Sequence, residues 1–467
     1  MRILQEAQAL TLRLLAGREA QTEPFVFSVY CLTEPVPGGR LLYHTLTKEL
    51  LFLEDGEEQA DYLRRRFFLI EEGTDERAAA RDLRGTLQFL GRSRLQGYTR
   101  YTILPTTDCN ARCFYCYEAG CEKLNMAAAA ADRTARFILD TCAPGELTLR
   151  FFGGEPLMGA ASLDRICEAL AENGKTYHSN IVTNGYLFTP ERIRKAAALW
   201  HLKRAQITLD GTEEVYNARK DFVEDHDGAF RRVLDNIEGL LQAGIAVTVR
   251  LNMDEVNLPD LRILAGQLAR RFGGYANFTV YPFLLFQDIL SPSREKVERL
   301  FGLYREFRAE LTDAGLLKPG KLPETLRLNH CMADDPASAV ILPDGRLHAC
   351  EHFTEGLFCG TVDEPVPKSA TEAYWTEEFP EDGACAACPL YPDCFRMKNC
   401  PDRADRCIPQ QREAEIEKLR IRMRAAYDRA VNGRPVDDNA ANDSAANDSA
   451  ANDLIAAAPD RKEPDTP

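Results

Sequence analysis

At 467 residues the chain is long enough for two or three domains with their own cores. Its net charge of −15 excludes the basic face that non-specific nucleic-acid binding requires, and no run approaches the apolar length of a membrane span. Fifteen cysteines, an odd number, point to metal sites rather than disulfides where no export signal is present.

The first stretch, MRILQEAQALTLRLLAG, is interrupted by Gln5, Glu6, Gln8 and Arg13. It reads as an amphipathic helix without the apolar centre of a signal peptide, so a cytoplasmic location is expected. Phe25 to Leu32, Arg40 to Thr45 and Lys48 to Leu53 then read as antiparallel strands, the first two separated by PVPGG. Helices near 56–65 and 75–90, with FFLIEE between them, complete a small α+β module over 1–98. It is either a structural cap or a peptide-docking module that takes an extended peptide beside Arg64, Arg65 and Arg66. Cys31 and His44 read as packing residues.

From 99 to 290 strand-like and helix-like segments alternate. Strands are expected at 101–106, 147–152, 180–184, 205–210, 246–252 and 277–282, and helices near 125–141, 162–173, 190–199, 230–243 and 258–271. That alternation implies a parallel sheet with crossover helices, and six repeats imply a partial barrel. Functional residues of such barrels sit at the strand C-terminal ends. The first strand runs into Cys109, Cys113 and Cys116, a CxxxCxxC run. Three thiolates so spaced hold three corners of a cubane iron–sulfur cluster and leave the fourth iron open. They also suit a partial zinc site or unrelated buried thiols. The next strand ends run into Gly153-Gly154-Glu155, Thr183-Asn184-Gly185, Thr208-Leu209-Asp210-Gly211 and Arg250-Leu251-Asn252. Polar or glycine residues at five successive strand ends describe one functional mouth.

CNARCFYC, FFGGEPL, VTNGYL and ITLDG, in that order, resemble the radical S-adenosylmethionine (SAM) enzymes. The branch with a Cys-rich SPASM extension, which includes peptide maturases and sulfatase-maturating enzymes, is the nearest in pattern over about 100–410. The resemblance implies that Cys109, Cys113 and Cys116 hold a 4Fe–4S cluster whose open iron chelates SAM. Tyr115 would lie by the adenine, and Gly153, Gly154 and Glu155 by the methionyl amine. Asn184, Thr208, Asp210 and Arg250 would lie near the ribose or carboxylate. Radical chemistry of this kind belongs to the cofactor, while the protein orients it and excludes competing reactions.

Residues 291–410 open with a helix over 294–313 and carry Cys331, Cys350, Cys385, Cys388, Cys394, Cys400 and Cys407. A zinc ribbon needs paired CxxC knuckles, and only one is present. By the same resemblance, Cys385, Cys388, Cys394 and Cys407 form a closed auxiliary cluster. Cys331, Cys350 and Cys400 hold another nearer the substrate, its last position filled by Cys359 or left open. Glu351 stands where relatives keep a proton-accepting aspartate, and it also reads as a solvated carboxylate. His330, His348 and His352 flank these cysteines as packing residues or hydrogen-bond partners. Cys142 and Cys167 read as core thiols. A charged helix over 411–432 is followed by a 433–467 tail with three near-copies of AANDS, too polar to bury a core and expected to be disordered.

The fold expected is therefore α/β: a partial (β/α)6 radical SAM barrel between an N-terminal α+β module and a Cys-rich SPASM domain. The expected function is hydrogen abstraction from a ribosomally made precursor peptide, ending in thioether crosslinks from cysteine. An electron donor such as flavodoxin or ferredoxin is implied. Formylglycine formation in a sulfatase is the alternative within the class, and a non-catalytic iron–sulfur or zinc protein is the alternative outside it.

Overall fold

A computed structural model of the chain describes residues 1–19, 22–224, 228–285, 294–329, 331–352, 358–366, 383–394 and 409–432. Its centre is a nine-stranded sheet. Six parallel strands come first, β7 (Arg100–Ile103), β8 (Leu147–Phe151), β9 (Tyr177–Thr183), β10 (Leu202–Leu209), β11 (Ala246–Met253) and β12 (Phe278–Leu284), each hydrogen-bonded to the next in chain order. The crossover helices are α4 (Ala128–Thr141), α5 (Ala160–Glu172), α6 (Pro190–Ala198), α7 (Glu213–Lys220), α8 (Ala229–Gln242) and α9 (Leu258–Phe272).

The strands alternate by period two. In β8, Leu147, Leu149 and Phe151 are buried while Thr148 and Arg150 are only half-buried; in β10, Ala205, Ile207 and Leu209 are buried while Arg204, Gln206 and Thr208 are half-buried. The apolar set packs under the helices in one large core with Leu163, Ile166, Val233 and Leu264. The polar set is left to line the opposite, inner wall. Helix starts follow local chemistry: Thr189 accepts from the Arg192 amide at 3.2 Å, with Pro190 in the first turn of α6.

Beyond β7 the sheet continues into three strands that periodicity did not reveal: β13 (Ser338–Ile341), parallel to β7, then β14 (Arg346–His348) and β15 (Phe358–Thr361), both antiparallel. They are three or four residues long, too short to show a period. The Cys-rich region thereby shares one sheet with the barrel strands, and Arg100 of β7 is ion-paired with Asp335. Helix α10 (Arg294–Asp313) covers the other side and packs on β12.

The N-terminal part holds a four-stranded antiparallel sheet in the order β1 (Arg2–Gln5), β5 (Leu50–Glu54), β4 (Gly39–His44), β3 (Cys31–Val36). A two-stranded sheet pairs β2 (Phe25–Phe27) with β6 (Leu69–Glu71). The single helix expected over the first residues is instead strand β1 followed by the short helix α1 (Ala9–Leu15). Pairing of Arg2 with Phe52 and Ile3 with Leu51 supplies those amides with partners an isolated helix would not outcompete. Pro35 and Val36, expected in the turn, belong to β3; the reversal falls at Pro37-Gly38, where Gly38 takes φ 80°. The strand expected from Phe25 to Leu32 is split between two sheets. Helices α2 (Ala60–Arg65) and α3 (Glu76–Ser93) follow, the latter capped by Asp75 on the Ala78 amide at 3.1 Å.

This module is tied to distant segments. Helix α11 (Pro409–Asn432) sets Met423 and Tyr427 against Leu41, Tyr43 and Phe52, and Arg424 pairs with Glu34. The buried Lys48 pairs with Asp393, and the Thr45 hydroxyl donates to the Pro389 carbonyl at 2.5 Å. The expected AANDS tail lies outside the described residues.

Candidate active site

The cysteine loop starts where β7 ends. Asp108 accepts from the Cys109 amide at 2.8 Å, and Thr106 Oγ1 from the Asp108 amide at 2.9 Å, so the turn is fixed before the first thiol. The end of α7 and the residues after it hold the loop from the other side. Arg112 N donates to the Lys220 and Asp221 carbonyls, both at 3.0 Å, and Val223 N to the Asn110 carbonyl at 3.0 Å. Burial pushes the Cys109 thiol up to about 12 and raises Cys116 as well. A metal ligand must be deprotonated, so these thiols would lose their protons on binding a metal.

Among the described residues no three His, Cys, Asp or Glu side chains converge closely enough to hold one metal ion. A cluster that takes one cysteine per iron asks for thiols spread about its faces, and three cysteines on one loop supply that donor set.

Of the other expected residues, Tyr115, Gly153, Gly154, Glu155, Asn184 and Asp210 meet this loop or one another. Tyr115 donates its hydroxyl to Asp210 Oδ2 at 2.7 Å, and burial holds the phenol well above its usual range. Asn184 Nδ2 donates to Asn110 Oδ1 at 2.7 Å and lies 3.9 Å from Cys109 Sγ. Glu155 is fully buried. It accepts from Leu157 N at 3.0 Å, Thr183 Oγ1 at 2.7 Å and Asn184 N at 2.8 Å. Burial raises its carboxyl even against those three donors. Its carboxylate therefore ties the end of β8 to the end of β9.

The two glycines before it are needed by the backbone itself. A Cβ on Gly153, at φ 119°, would sit 2.3 Å from the Thr106 carbonyl oxygen, and one on Gly154 would sit 2.3 Å from that of Asp108. They let the β8 end press against the cysteine loop. Thr208 and Arg250 are register partners on the inner wall, and the Arg250 guanidinium stacks 3.5 Å over Phe283 and donates to Asn252 Oδ1 at 2.8 Å.

From the Cys-rich region, Glu351 reaches the same wall: its carboxylate lies 3.0 Å from Arg150 Nη1 on β8. Cys350 and Cys359 are buried in the main core with Cys331 packed against it. Cys350 N donates to His348 Nδ1 at 3.1 Å, and His352 N lies 3.5 Å from Cys350 Sγ. Cys385, Cys388 and Cys394 lie apart from these, on two short 3-10 turns, Gly383–Ala387 and Tyr391–Asp393, and on the residues around them. Cys388 and Tyr391 are buried with Tyr30, Leu83 and Leu87 of the N-terminal module. Cys400, Cys407 and His330 lie outside the described residues. Two residues escaped the sequence reading: Lys220, in no motif, and Arg150, whose position before FFGGEP marked it only as strand.

Fold and site agree with a family match over part of the chain. Residues 103–264 match the radical SAM superfamily, and such a domain carries a 4Fe–4S cluster and SAM. Among solved structures the chain is similar to anSMEcpe, an anaerobic sulfatase-maturating enzyme, with bound AdoMet and Kp18Cys peptide: TM-score 0.55, 13% identity, 70% of this chain and 99% of that one. It is also similar to SuiB of Streptococcus suis bound to precursor peptide SuiA: TM-score 0.50, 12% identity, 82% of this chain and 99% of that one. At these identities the likeness is one of fold. No curated protein matches the sequence significantly.

Proposed function

We propose that this enzyme modifies a ribosomally made peptide by hydrogen abstraction and forms thioether crosslinks from peptide cysteine. The observation that carries this reading is the Glu351–Arg150 pair at 3.0 Å, because it joins the residue after Cys350 to the inner wall of the barrel. A substrate between the two regions would meet both. Structures of the similar proteins anSMEcpe and SuiB hold peptides, which supports a peptide here.

In this reading Cys109, Cys113 and Cys116 hold the SAM-binding cluster. Cys331, Cys350 and Cys400, with Cys359 or a substrate thiolate, hold one auxiliary cluster, and Cys385, Cys388, Cys394 and Cys407 hold another. When bound, the reduced cluster and SAM supply a 5′-deoxyadenosyl radical. Glu351 accepts a proton from the substrate, and Arg150 fixes the direction of its carboxylate. Asn184 and Asp210 bracket the loop at the ends of β9 and β10. Residues 1–98 dock the peptide, 99–290 form the core and 291–410 carry the auxiliary clusters. Arg64, 5.0 Å over Phe25, flanks the small β2–β6 sheet to which an extended peptide would add. A flavodoxin or ferredoxin in the cytoplasm would supply the electron.

The test is anaerobic reconstitution with dithionite, SAM and a Cys-containing candidate peptide. We expect 5′-deoxyadenosine, and a peptide that has lost two hydrogens and kept its sulfur. Replacing the three loop cysteines by alanine abolishes both. A product whose cysteine sulfur has given way to an aldehyde oxygen would establish formylglycine formation instead. Absence of SAM cleavage in the wild-type protein would overturn the enzyme reading.

A further inference from the structure

Lys220 ends α7 and is only 3% exposed. Its ammonium donates to the Tyr115 hydroxyl at 2.8 Å and lies 3.2 Å from Asp210 Oδ2, the same oxygen that accepts from Tyr115. Burial disfavours the charge, but the Asp210 carboxylate outweighs it and holds the ammonium above its usual value. Its carbonyl accepts from Arg112 N, inside the cysteine loop. One residue thus grips the loop by both backbone and side chain.

Asp210 shows what that grip leaves over. Its Oδ2 faces two donors, whereas its Oδ1 is buried and has no hydrogen-bond partner among the described residues. A buried carboxylate oxygen without a donor is costly, and such groups in native proteins ordinarily have a partner. A hydroxyl-bearing cofactor at this strand end would supply the missing donor.

We propose that Lys220 is a positioning residue of the cofactor site: it locks Tyr115 and Asp210 so that Asp210 Oδ1 is presented to a SAM hydroxyl, and by offsetting the Asp210 charge it keeps the reduction potential of the cluster above what a lone buried carboxylate would allow. This rests on the radical SAM reading and deepens it. Reduction adds negative charge to the cluster, and a cation in a poorly solvated site favours the reduced form more than the same cation would in water.

The experiment uses the reconstituted holoenzyme with Lys220→Met and Lys220→Arg. Redox titration followed by electron paramagnetic resonance reads the potential of the SAM-binding cluster, and equilibrium binding reads SAM affinity. Lys220→Met is expected to lower the potential and to weaken SAM binding about tenfold or more, and Lys220→Arg to restore most of both. A Lys220→Met protein with full iron content, wild-type potential and wild-type SAM affinity would overturn the proposal. Should Lys220→Met fail to load iron, Lys220→Gln keeps a polar side chain beside Tyr115 and Asp210 without the charge. That variant, once loaded, supports the proposal if its potential and SAM affinity fall and overturns it if they match wild type. Wild-type protein without a cluster signal that responds to SAM would overturn the radical SAM reading itself, an outcome visible before any variant is made.

Discussion

Tyr117 and His352 stack with ring centroids 4.3 Å apart and planes 33° from parallel. Tyr117 directly follows Cys116, and His352 lies two residues beyond Cys350. The loop that carries the first three thiols therefore touches the loop that carries Cys350. With Glu351 on Arg150, this gives two contacts between regions joined by little else in sequence.

His352→Ala removes the ring contact and leaves the Glu351 ion pair in place. A stacked pair contributes about 0.5–1.5 kcal/mol beyond its buried area. We expect a loss of stability of that size in chemical denaturation, with SAM cleavage retained. A loss several times larger would mean that His352 also holds the backbone around Cys350.

Glu155→Ala tests whether this carboxylate acts as a tie between strand ends. The change leaves Leu157 N, Thr183 Oγ1 and Asn184 N without their acceptor. With roughly 1–3 kcal/mol for each buried group left unpaired, the cost should be about 3 kcal/mol or more. The measurement is denaturant unfolding of the protein before cluster loading. A Glu155 variant that keeps full stability and loses only SAM affinity would show that the carboxylate works on the cofactor alone.

His44 gives a pH dependence. Its ring is buried between Tyr30 and Phe68, Thr47 N donates to Nδ1 at 3.1 Å, and burial lowers its pKa from 6.5 to about 3. A depressed value contributes stability that is complete above pH 6.5 and is lost as pH falls from there towards 3. Linkage puts the full effect at about 5 kcal/mol. Unfolding measured across that window should show His44→Gln with a flatter acid limb than wild type. Parallel acid limbs would mean that other groups control it.

Asp393→Ala leaves the Lys48 ammonium buried without its partner. Breaking a buried pair from one side costs about 3–5 kcal/mol. Because Asp393 precedes Cys394, the N-terminal module should also loosen from the Cys-rich segment. Limited proteolysis should then release it earlier than in wild type. Lys48→Met in the same background should recover part of the stability, since it removes the stranded charge.

The six parallel strands were legible because each is five to eight residues of period-two pattern, β7 apart, and the helices between them carry an apolar stripe. The strands β13 to β15 were not, because a run of three or four residues has no measurable period and is recruited by the open edge of β7. Likewise Arg2–Gln5 reads as the start of a helix until Phe52 and Leu51 offer it a ladder. For Glu155 the motif located the residue, and the structure added the Thr183 and Asn184 contacts that occupy it.

The order of chemistry-bearing segments along the chain, from the cysteine loop through GGE and TNG to LDG, was set by sequence alone, since strand alternation and local spacing depend on neighbouring residues. Tertiary structure decided the rest: that Lys220 meets a tyrosine 105 residues away, that Glu351 faces Arg150, and that Asp393 closes over Lys48. Such pairs depend on strand register and on which buried charge finds a partner when the chain collapses. Neither is encoded in the spacing of residues along one segment.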